Sequence, residues 1–337
     1  MMEWPLALRV YSGAAPSQCS AVLERMDPEQ LTAGEVLVGT AYSSVNYKDA
    51  LAVVDPASVL RGSPRIPGID VCGSVLSADV PGVQQGDAVF ASGNGLGESR
   101  DGGFSEMVRL QGREVIVLPK GVEPRQAMML GTAGLSAMLA LERIEWAGAT
   151  PATGPVAITG ATGAVGAVAV ALLAARGYEV EAVTTKRDAG SFLGRLGAAA
   201  VVHQEELMAD RRPMQRARWA AAIDNVGGDL LPQVTGSLRH GGAVAVVGLA
   251  GGHAFPGSVL PLMLRGLSIL GICSDDIRPE RKAGMLAELL RLIPKERLDV
   301  IAPLEVSLRD VDRTFCQQRL TGKHFGRVLV RTAVSRA

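Results

Sequence analysis

Gly160, Gly163 and Gly166 stand between an apolar run, Val156 to Ile158, and a second apolar run, Val165 to Ala175. That order of strand, glycine turn and helix start suits a phosphate. Gly160 allows the sharp bend, Gly163 lets backbone approach a pyrophosphate, and Gly166 lets the helix lie close on its sheet. The N–H groups of Thr162, Ala164, Val165 and Gly166 and the positive end of the helix dipole then face the anion. The spacing is GxxGxxG rather than GxGxxG, and alone it fits an ordinary glycine-rich loop equally well. A second strand from Glu179 to Thr184 closes a βαβ unit of about 30 residues, and that context favours a dinucleotide.

The cofactor follows from the end of that second strand. NAD-binding units place an acidic residue there, about 20 residues on, for the ribose 2′-OH. This chain has Thr184-Thr185-Lys186-Arg187 instead. Two hydroxyls and two cations suit a 2′-phosphate, so NADPH is expected over NADH.

The elements that must position this turn alternate. Strand candidates are Val156 to Thr159, Glu179 to Thr184, Ala200 to His203, Ala220 to Asp224, Ala243 to Val247 and Leu267 to Ile272, with helices between. They predict an α/β fold with a six-stranded, parallel, doubly wound Rossmann sheet. Before it, short Val-rich runs at Glu35 to Val38, Gly73 to Leu76, Asp87 to Ala91 and Val115 to Leu118 predict a β-rich, barrel-like domain. Between two of those runs, Ala91 to Gly103 reads as a surface loop. A helical run from Pro124 through Leu141 crosses between domains. Glu280 to Leu292 and Leu308 to Leu320 read as helices and Arg327 to Val330 as a last strand. The expected division is 1–127 with 274–337 around a cofactor domain at 128–273.

Length and composition bound the function. At 337 residues, two domains are expected. With 34 basic against 34 acidic residues and 47% hydrophobic content, nothing favours nucleic acid or a membrane surface as partner. Cys19, Cys72, Cys273 and Cys316 form no CxxC pair and are expected as reduced thiols. No basic, then apolar, leader opens the chain and no apolar run reaches the ~18 residues of a membrane span, so a cytoplasmic protein is expected.

The chain resembles the medium-chain dehydrogenase/reductase superfamily over nearly its whole length, and the resemblance makes its first domain a GroES-like catalytic β-barrel. Ser-Ser-Val-Asn-Tyr-Lys-Asp-Ala-Leu-Ala (43–52), Ile-Pro-Gly-Ile-Asp (66–70), Gly-Thr-Ala-Gly-Leu-Ser-Ala-Met-Leu (131–139) and Gly-Leu-Ala-Gly-Gly (248–252) are similar to the NADPH-dependent acrylyl-CoA reductase group of its quinone oxidoreductase-like branch. Zinc-dependent alcohol dehydrogenases of the superfamily carry Cys, His and Cys ligands where this chain has Asn46, Ile69 and Thr132, and Glu where it has Asp70. Ile69 cannot bind a metal, and the four-Cys lobe is missing. The resemblance therefore implies a zinc-free enzyme.

Without a Lewis acid to polarise an isolated carbonyl, an alkene conjugated to a thioester is the easier hydride acceptor. Addition at the β-carbon leaves an enolate that needs hydrogen-bond donors and a proton at the α-carbon. The resemblance places Tyr47 beside the nicotinamide, to orient it or the substrate or to donate a proton. Asn46, Lys48 and Asp49 are expected to line the site, the alternative for Lys48 and Asp49 being that they pair with each other or orient the loop. Thr132, Leu249, Met263 and Ser274 are expected at the nicotinamide end, although Thr132 could bond its own backbone and Met263 could be helix core. Gln204 stands where relatives often carry an arginine, leaving Lys186 and Arg187 to hold the 2′-phosphate. Arg61 and Arg65 are candidates for the phosphates of CoA. His203, His240 and His253 are assigned no catalysis, His240 being read at a helix end.

The expected function is NADPH-dependent reduction of a short 2-enoyl-CoA, acrylyl-CoA to propionyl-CoA. The alternatives are a reductase of quinones or free enals and enones, and a non-catalytic NADPH-binding protein. A homodimer pairing through Leu267 to Ile272 is the expected assembly.

Overall fold

The computed structural model describes residues 4–13 and 18–332, so the first three residues of the N-terminal reading lie outside the described ones. Along the chain come β1 (Leu6–Tyr11), β2 (Ser20–Arg25), β3 (Val36–Ser44), α1 (Tyr47–Val54), β4 (Asp70–Ala78), β5 (Ala88–Ser92), β6 (Met107–Leu110), β7 (Ile116–Val117) and α2 (Pro124–Trp146). Next are β8 (Val156–Ile158), α3 (Ala164–Ala175), β9 (Val180–Thr184), α4 (Gly190–Leu196), β10 (Ala200–His203), α5 (Gln204–Met208) and β11 (Trp219–Asp224). They are followed by α6 (Leu230–Gly236), β12 (Leu238–Val246), α7 (Leu260–Arg265) and β13 (Ser268–Gly271). The last elements are α8 (Pro279–Leu292), α9 (Lys295–Ile301), β14 (Leu304–Ser307), α10 (Arg313–Leu320) and β15 (Val328–Arg331).

The chain forms two units. The first holds the described residues up to Thr132, Asp275–Ala287 and those from Ala302 onward, and the second holds Ala133–Ser274 and Glu288–Ile301. Against the expected division, 288–301 returns to the second unit, because α9 packs on α3 and α4.

In the first unit a seven-stranded sheet runs β14-β15-β3-β4-β5-β7, with β6 also on β3. β3 reaches β15, β4 and β6 because it is long and its register on β4 shifts at Leu37/Val38 and Thr40/Tyr42, bending it as bulges do. Alternating residues of the strands, Val36, Val38, Val71, Val75 and Val89 among them, meet in one core with Leu96, Val108 and Leu110. The segment Ala91 to Gly103 is not a surface loop. Leu96 is fully buried, and a Cβ on Gly97, Gly102 or Gly103 would collide with backbone at Gly68, Pro67 or Asp70. Its glycines serve close packing rather than exposure.

The second unit is a six-stranded sheet of order β10-β9-β8-β11-β12-β13, every neighbouring pair parallel. Strand order reverses between β8 and β11, where this fold takes its ligand at the carboxyl ends of the strands. α3 is apolar all round, with Gly166 through Leu173 buried; each Val or Leu so enclosed contributes about 1.5–3 kcal/mol.

Three further expectations change. α2 is 23 residues long and apolar enough by composition to cross a membrane, yet 83% of its apolar window is buried within the protein. Its backbone breaks at Gly131. β12 starts earlier than expected, so His240 lies on a strand rather than at a helix end. The helix foreseen from Leu308 begins only at Arg313, since Asp312 takes the Phe315 N–H at 2.7 Å and caps it there.

Candidate functional site

The glycine turn of the second unit has the geometry its sequence predicts. Gly160 sits at φ 56°, in the left-handed region that favours glycine. A Cβ on Gly166 would overlap the Gly160 carbonyl oxygen and Ala161 Cα, so α3 can seat on the turn only with glycine there. Gly163 is the helix N-cap and offers no side chain to cap it. The N–H groups of Ala164, Val165 and Gly166 therefore keep the orphan character of a first helical turn.

The structure brings Thr184 to this turn: Thr162 Oγ1 and Thr184 Oγ1 lie 3.4 Å apart, and Lys186 N donates to Thr184 Oγ1 at 3.1 Å. Both threonines are buried, while Thr185 is exposed. Arg187 is exposed and donates to Glu205 at 2.7 Å, so its charge is shared with a carboxylate that sequence reading did not foresee. Such an exposed pair is weak and exchangeable. Gln204 opens α5 directly before that Glu205.

Sequence reading missed a polar cluster at the reversal of strand order. Thr159 Oγ1 donates to Asp224 Oδ1 at 2.6 Å, Gly227 N donates to Asp224 Oδ2 at 2.7 Å, and Asn225 Nδ2 donates to the Thr159 carbonyl at 2.8 Å. Burial raises the Asp224 pKa above its ordinary value against these donors. Asn225 Oδ1 is left buried without a partner, an acceptor beside the turn that a ligand donor would satisfy. An Asp-Asn-Val-Gly-Gly run at the end of a predicted strand was the available signal.

Leu249 lies exposed in the loop after β12, which closes on the loop after β11 through Gly251 N to the Val226 carbonyl at 2.7 Å. Ser274 Oγ accepts a hydrogen bond from Ser136 Oγ at 3.1 Å. Met263 is 74% exposed on α7 and is no part of a helix core.

The first unit carries a buried web around Asp70. Its Oδ1 accepts from Thr132 N at 3.0 Å and Thr132 Oγ1 at 2.7 Å. Its Oδ2 accepts from Ser44 Oγ at 2.7 Å, Asn46 Nδ2 at 2.9 Å and Arg327 Nη2 at 3.1 Å. Arg327 also donates to Asn46 Oδ1 and to the Met128 carbonyl, both at 3.0 Å. The break at Gly131 makes this possible: it frees Thr132 N from the helix, and the guanidinium fills the space a Cβ would need. Thr132 thus bonds Asp70 rather than its own backbone. Burial raises the Asp70 pKa, but Arg327 and the donors from Thr132, Asn46 and Ser44 outweigh it and hold the carboxyl below its ordinary range.

Asp49 shares the web from the other side. Its Oδ2 accepts from Asn46 N and Nδ2, both at 2.9 Å, and its Oδ1 from Ile69 N at 2.8 Å and Gly68 N at 3.2 Å. Burial, with the nearby Asp70 charge, still pushes it up to about 7 against those donors. Asp49 does not pair with Lys48, which turns outward to Glu98 at 2.9 Å and Asp275 at 3.3 Å. Tyr47, the first residue of α1, is 39% exposed, and among the described residues its phenol has no hydrogen-bond partner. Arg65 is tied to Asp101 at 3.3 Å and mostly buried, so it is not available for a phosphate. Sequence reading named Asn46, Asp49 and Thr132 but missed Ser44 and Arg327 and gave Asp70 no role.

Among the described residues no group of three or more His, Cys, Asp or Glu is placed to hold a metal. The three positions of the zinc ligands hold Asn46 and Thr132, both bound to Asp70, and Ile69, whose N–H goes to Asp49. A dinucleotide fits the second unit: the uncapped turn, the glycine cradle and the orphan Asn225 Oδ1 stand together at the carboxyl ends of β8 and β11.

Family models match two stretches of the chain. Residues 32–120 match the alcohol dehydrogenase GroES-like domain and 164–291 the zinc-binding dehydrogenase domain. The chain is 38% identical over 311 residues to the probable acrylyl-CoA reductase AcuI of Escherichia coli, covering 92% of this chain and 95% of that protein. It is 37% identical over 308 residues to the putative quinone oxidoreductase YhfP of Bacillus subtilis, covering 90% and 93%. The crystal structure of Escherichia coli YhdH with bound NADPH superposes with a TM-score of 0.92 at 37% identity, covering 97% of this chain and 100% of that one.

Proposed function

The chain belongs to the medium-chain dehydrogenase/reductase superfamily, in its zinc-free acrylyl-CoA reductase group, and we propose that this NADPH-dependent oxidoreductase reduces the conjugated C=C bond of acrylyl-CoA or another short 2-enoyl-CoA. The observation that carries the reading is the filled web at Asn46, Ile69, Asp70 and Thr132. Where zinc relatives polarise a carbonyl, this chain spends its donors on its own carboxylate, which suits an acceptor already activated by conjugation.

Bound at the glycine turn, NADPH supplies the hydride. Thr162, Ala164, Val165 and Gly166 would hold its pyrophosphate through backbone N–H groups, Thr184, Thr185, Lys186 and Arg187 its 2′-phosphate, and Asn225 Oδ1 would accept from one of its donors. The Tyr47 hydroxyl, which has no hydrogen-bond partner among the described residues, is assigned to the acceptor, either donating the α-carbon proton or holding the oxygen that gains charge. Asn46 and Asp49 fix the start of the helix that carries Tyr47, and Lys48 is fixed by Glu98 and Asp275.

A second reading, reduction of quinones or free enones, is favoured by the name of the Bacillus subtilis relative. NADPH oxidation measured across acrylyl-CoA, crotonyl-CoA, a quinone and a free enone, with NADH as control, separates the two. The proposal expects the highest kcat/KM on acrylyl-CoA, and equal or faster turnover of the quinone or enone would reject it.

The reading extends to a homodimer in the cytoplasm. β13 is the edge of its sheet, and Ile269 on it and Leu260, Met263 and Leu264 on α7 are exposed apolar residues that a second copy would cover. Sedimentation of a lone 35.1 kDa species would refute the dimer, and cell fractionation tests the compartment.

A further inference from the structure

The charge around the position expected for the 2′-phosphate is mixed. Lys186 and Arg187 follow β9, but Asp188 comes next, and Glu205 and Glu206 stand in the first turn of α5 after β10. The two segments are neighbours in space, because β9 and β10 pair in parallel with Thr184 opposite His203, the last residue of each strand. Two cations and three carboxylates therefore follow one strand pair, where a phosphate monoester would bring a further charge of about −1.5 to −2. A surface serving only to attract that anion would not carry a surplus of acid.

One of the three carboxylates meets a cation. Glu205 Oε2 lies 2.7 Å from Arg187 Nη2, the two side chains being 77% and 75% exposed. Glu206 carries the same charge one residue on, is exposed too, and has no partner among the described residues. An acid in the first turn of a helix is ordinary. That accounts for Glu206 as well as for Glu205, and it does not require Arg187. The pair instead joins the turn after β9 to the start of α5, and it takes up part of the guanidinium fork that a phosphate would use. Gln204, between His203 and Glu205, is neutral and adds no cation.

Binding NADPH through Arg187 then means either giving up the contact with Glu205 or bringing the phosphate close to its carboxylate. NADH presents a 2′-hydroxyl there and meets neither penalty. We infer that Glu205 is a specificity-determining residue: by holding Arg187 it lowers the preference for NADPH over NADH below what Lys186 and Arg187 would give without it. This role rests on the reading that places the 2′-phosphate at Thr184 to Arg187.

Equilibrium binding of NADPH and of NADH to the full chain, followed by nicotinamide fluorescence, tests it without turnover. The proteins compared are wild type, Glu205→Gln, Glu206→Gln, Arg187→Gln and the double variant Arg187→Gln with Glu205→Gln. All three positions are exposed, so the substitutions leave the core packing untouched. In Glu205→Gln the Kd for NADPH should fall about two- to fivefold, with the Kd for NADH held and a smaller change in Glu206→Gln. Arg187→Gln should raise the Kd for NADPH about five- to tenfold, and adding Glu205→Gln to it should then gain no more than Glu206→Gln gains alone. Because the pair is exposed, the gain in Glu205→Gln should shrink as salt is raised. An unchanged Kd for NADPH in Glu205→Gln overturns this role, as does an equal gain in Glu206→Gln or a gain that survives in full without Arg187. Selective weakening of NADPH by Arg187→Gln, with Glu205→Gln inert, sinks the role of Glu205 alone. No effect of Arg187→Gln on either dinucleotide sinks the placing of the 2′-phosphate together with it.

Discussion

Arg327 Nη2 stands 3.1 Å from Asp70 Oδ2, and the two side chains are 1% and 0% exposed. The pair joins the residue before β15 to the first residue of β4 within the first unit, and through Asn46 and Met128 it also fixes the start of α1 and the break in α2. A charge pair this deep returns little net stability compared with an apolar pair, but breaking it strands a buried charge.

Arg327→Met is therefore expected to cost about 3–5 kcal/mol in denaturant unfolding, because Asp70 then lies buried without its cation. Adding Asp70→Asn should recover part of that loss. No recovery in the double variant would show that the lost packing of Arg327, not its charge, sets the cost.

Gly131 makes room for the same guanidinium at φ 49°, so Gly131→Ala meets both strain and overlap with Arg327. Gly121 also has a positive φ, 87°, but open space around it. Gly121→Ala should cost about 1 kcal/mol and Gly131→Ala clearly more. Equal losses by thermal unfolding would contradict the packing account.

Asp49, raised to about 7 in the folded chain from an ordinary carboxylate value of 3.8, binds its proton more tightly folded than unfolded. Its contribution is fully present below about pH 4 and is lost as pH rises through about 7, with a slope approaching ~1.4 kcal/mol per pH unit between. Asp70, held low, acts in the opposite sense, losing its contribution as pH falls below the ordinary carboxylate range. Unfolding free energies across pH 4 to 8 in wild type and Asp49→Asn test this, and an identical slope in the two proteins would rule it out.

At Gly163 the backbone is extended, at φ −79° and ψ 179°, and a Cβ would come 3.2 Å from the Gly160 oxygen, a contact a small shift relieves. Gly163→Val should thus fold with a Tm changed by no more than about 2 °C, yet bind NADPH at least about tenfold more weakly, since its side chain takes the space of the phosphate. Tight NADPH binding by this variant would move the phosphate away from the turn.

The Rossmann sheet was legible because each of its strands is a short apolar run flanked by turn residues, and its glycines constrain backbone geometry that sequence spacing encodes directly. The barrel unit was less so. β6 and β14 are only 4 residues long, too short for alternation to stand out, and Ala91 to Gly103 looks like solvent-exposed chain because tight packing and exposure both favour glycine. Within the site, Asn46, Tyr47, Asp49 and Thr132 stood in recognisable motifs. Arg327 did not: it meets Asp70 across 257 residues of chain, and an arginine beginning a strand carries no local mark of burial. Arg187 failed in the other direction, since its Glu205 partner lies 18 residues away on a different element.

The most direct test of the central claim follows isotope from NADPH deuterated at the transferable C4 position into the product of acrylyl-CoA reduction. The account predicts propionyl-CoA with one deuterium at the β-carbon and a solvent-derived hydrogen at the α-carbon. Propionyl-CoA whose β-carbon hydrogen comes from solvent, or oxidation of NADPH with acrylyl-CoA left unchanged, would contradict it.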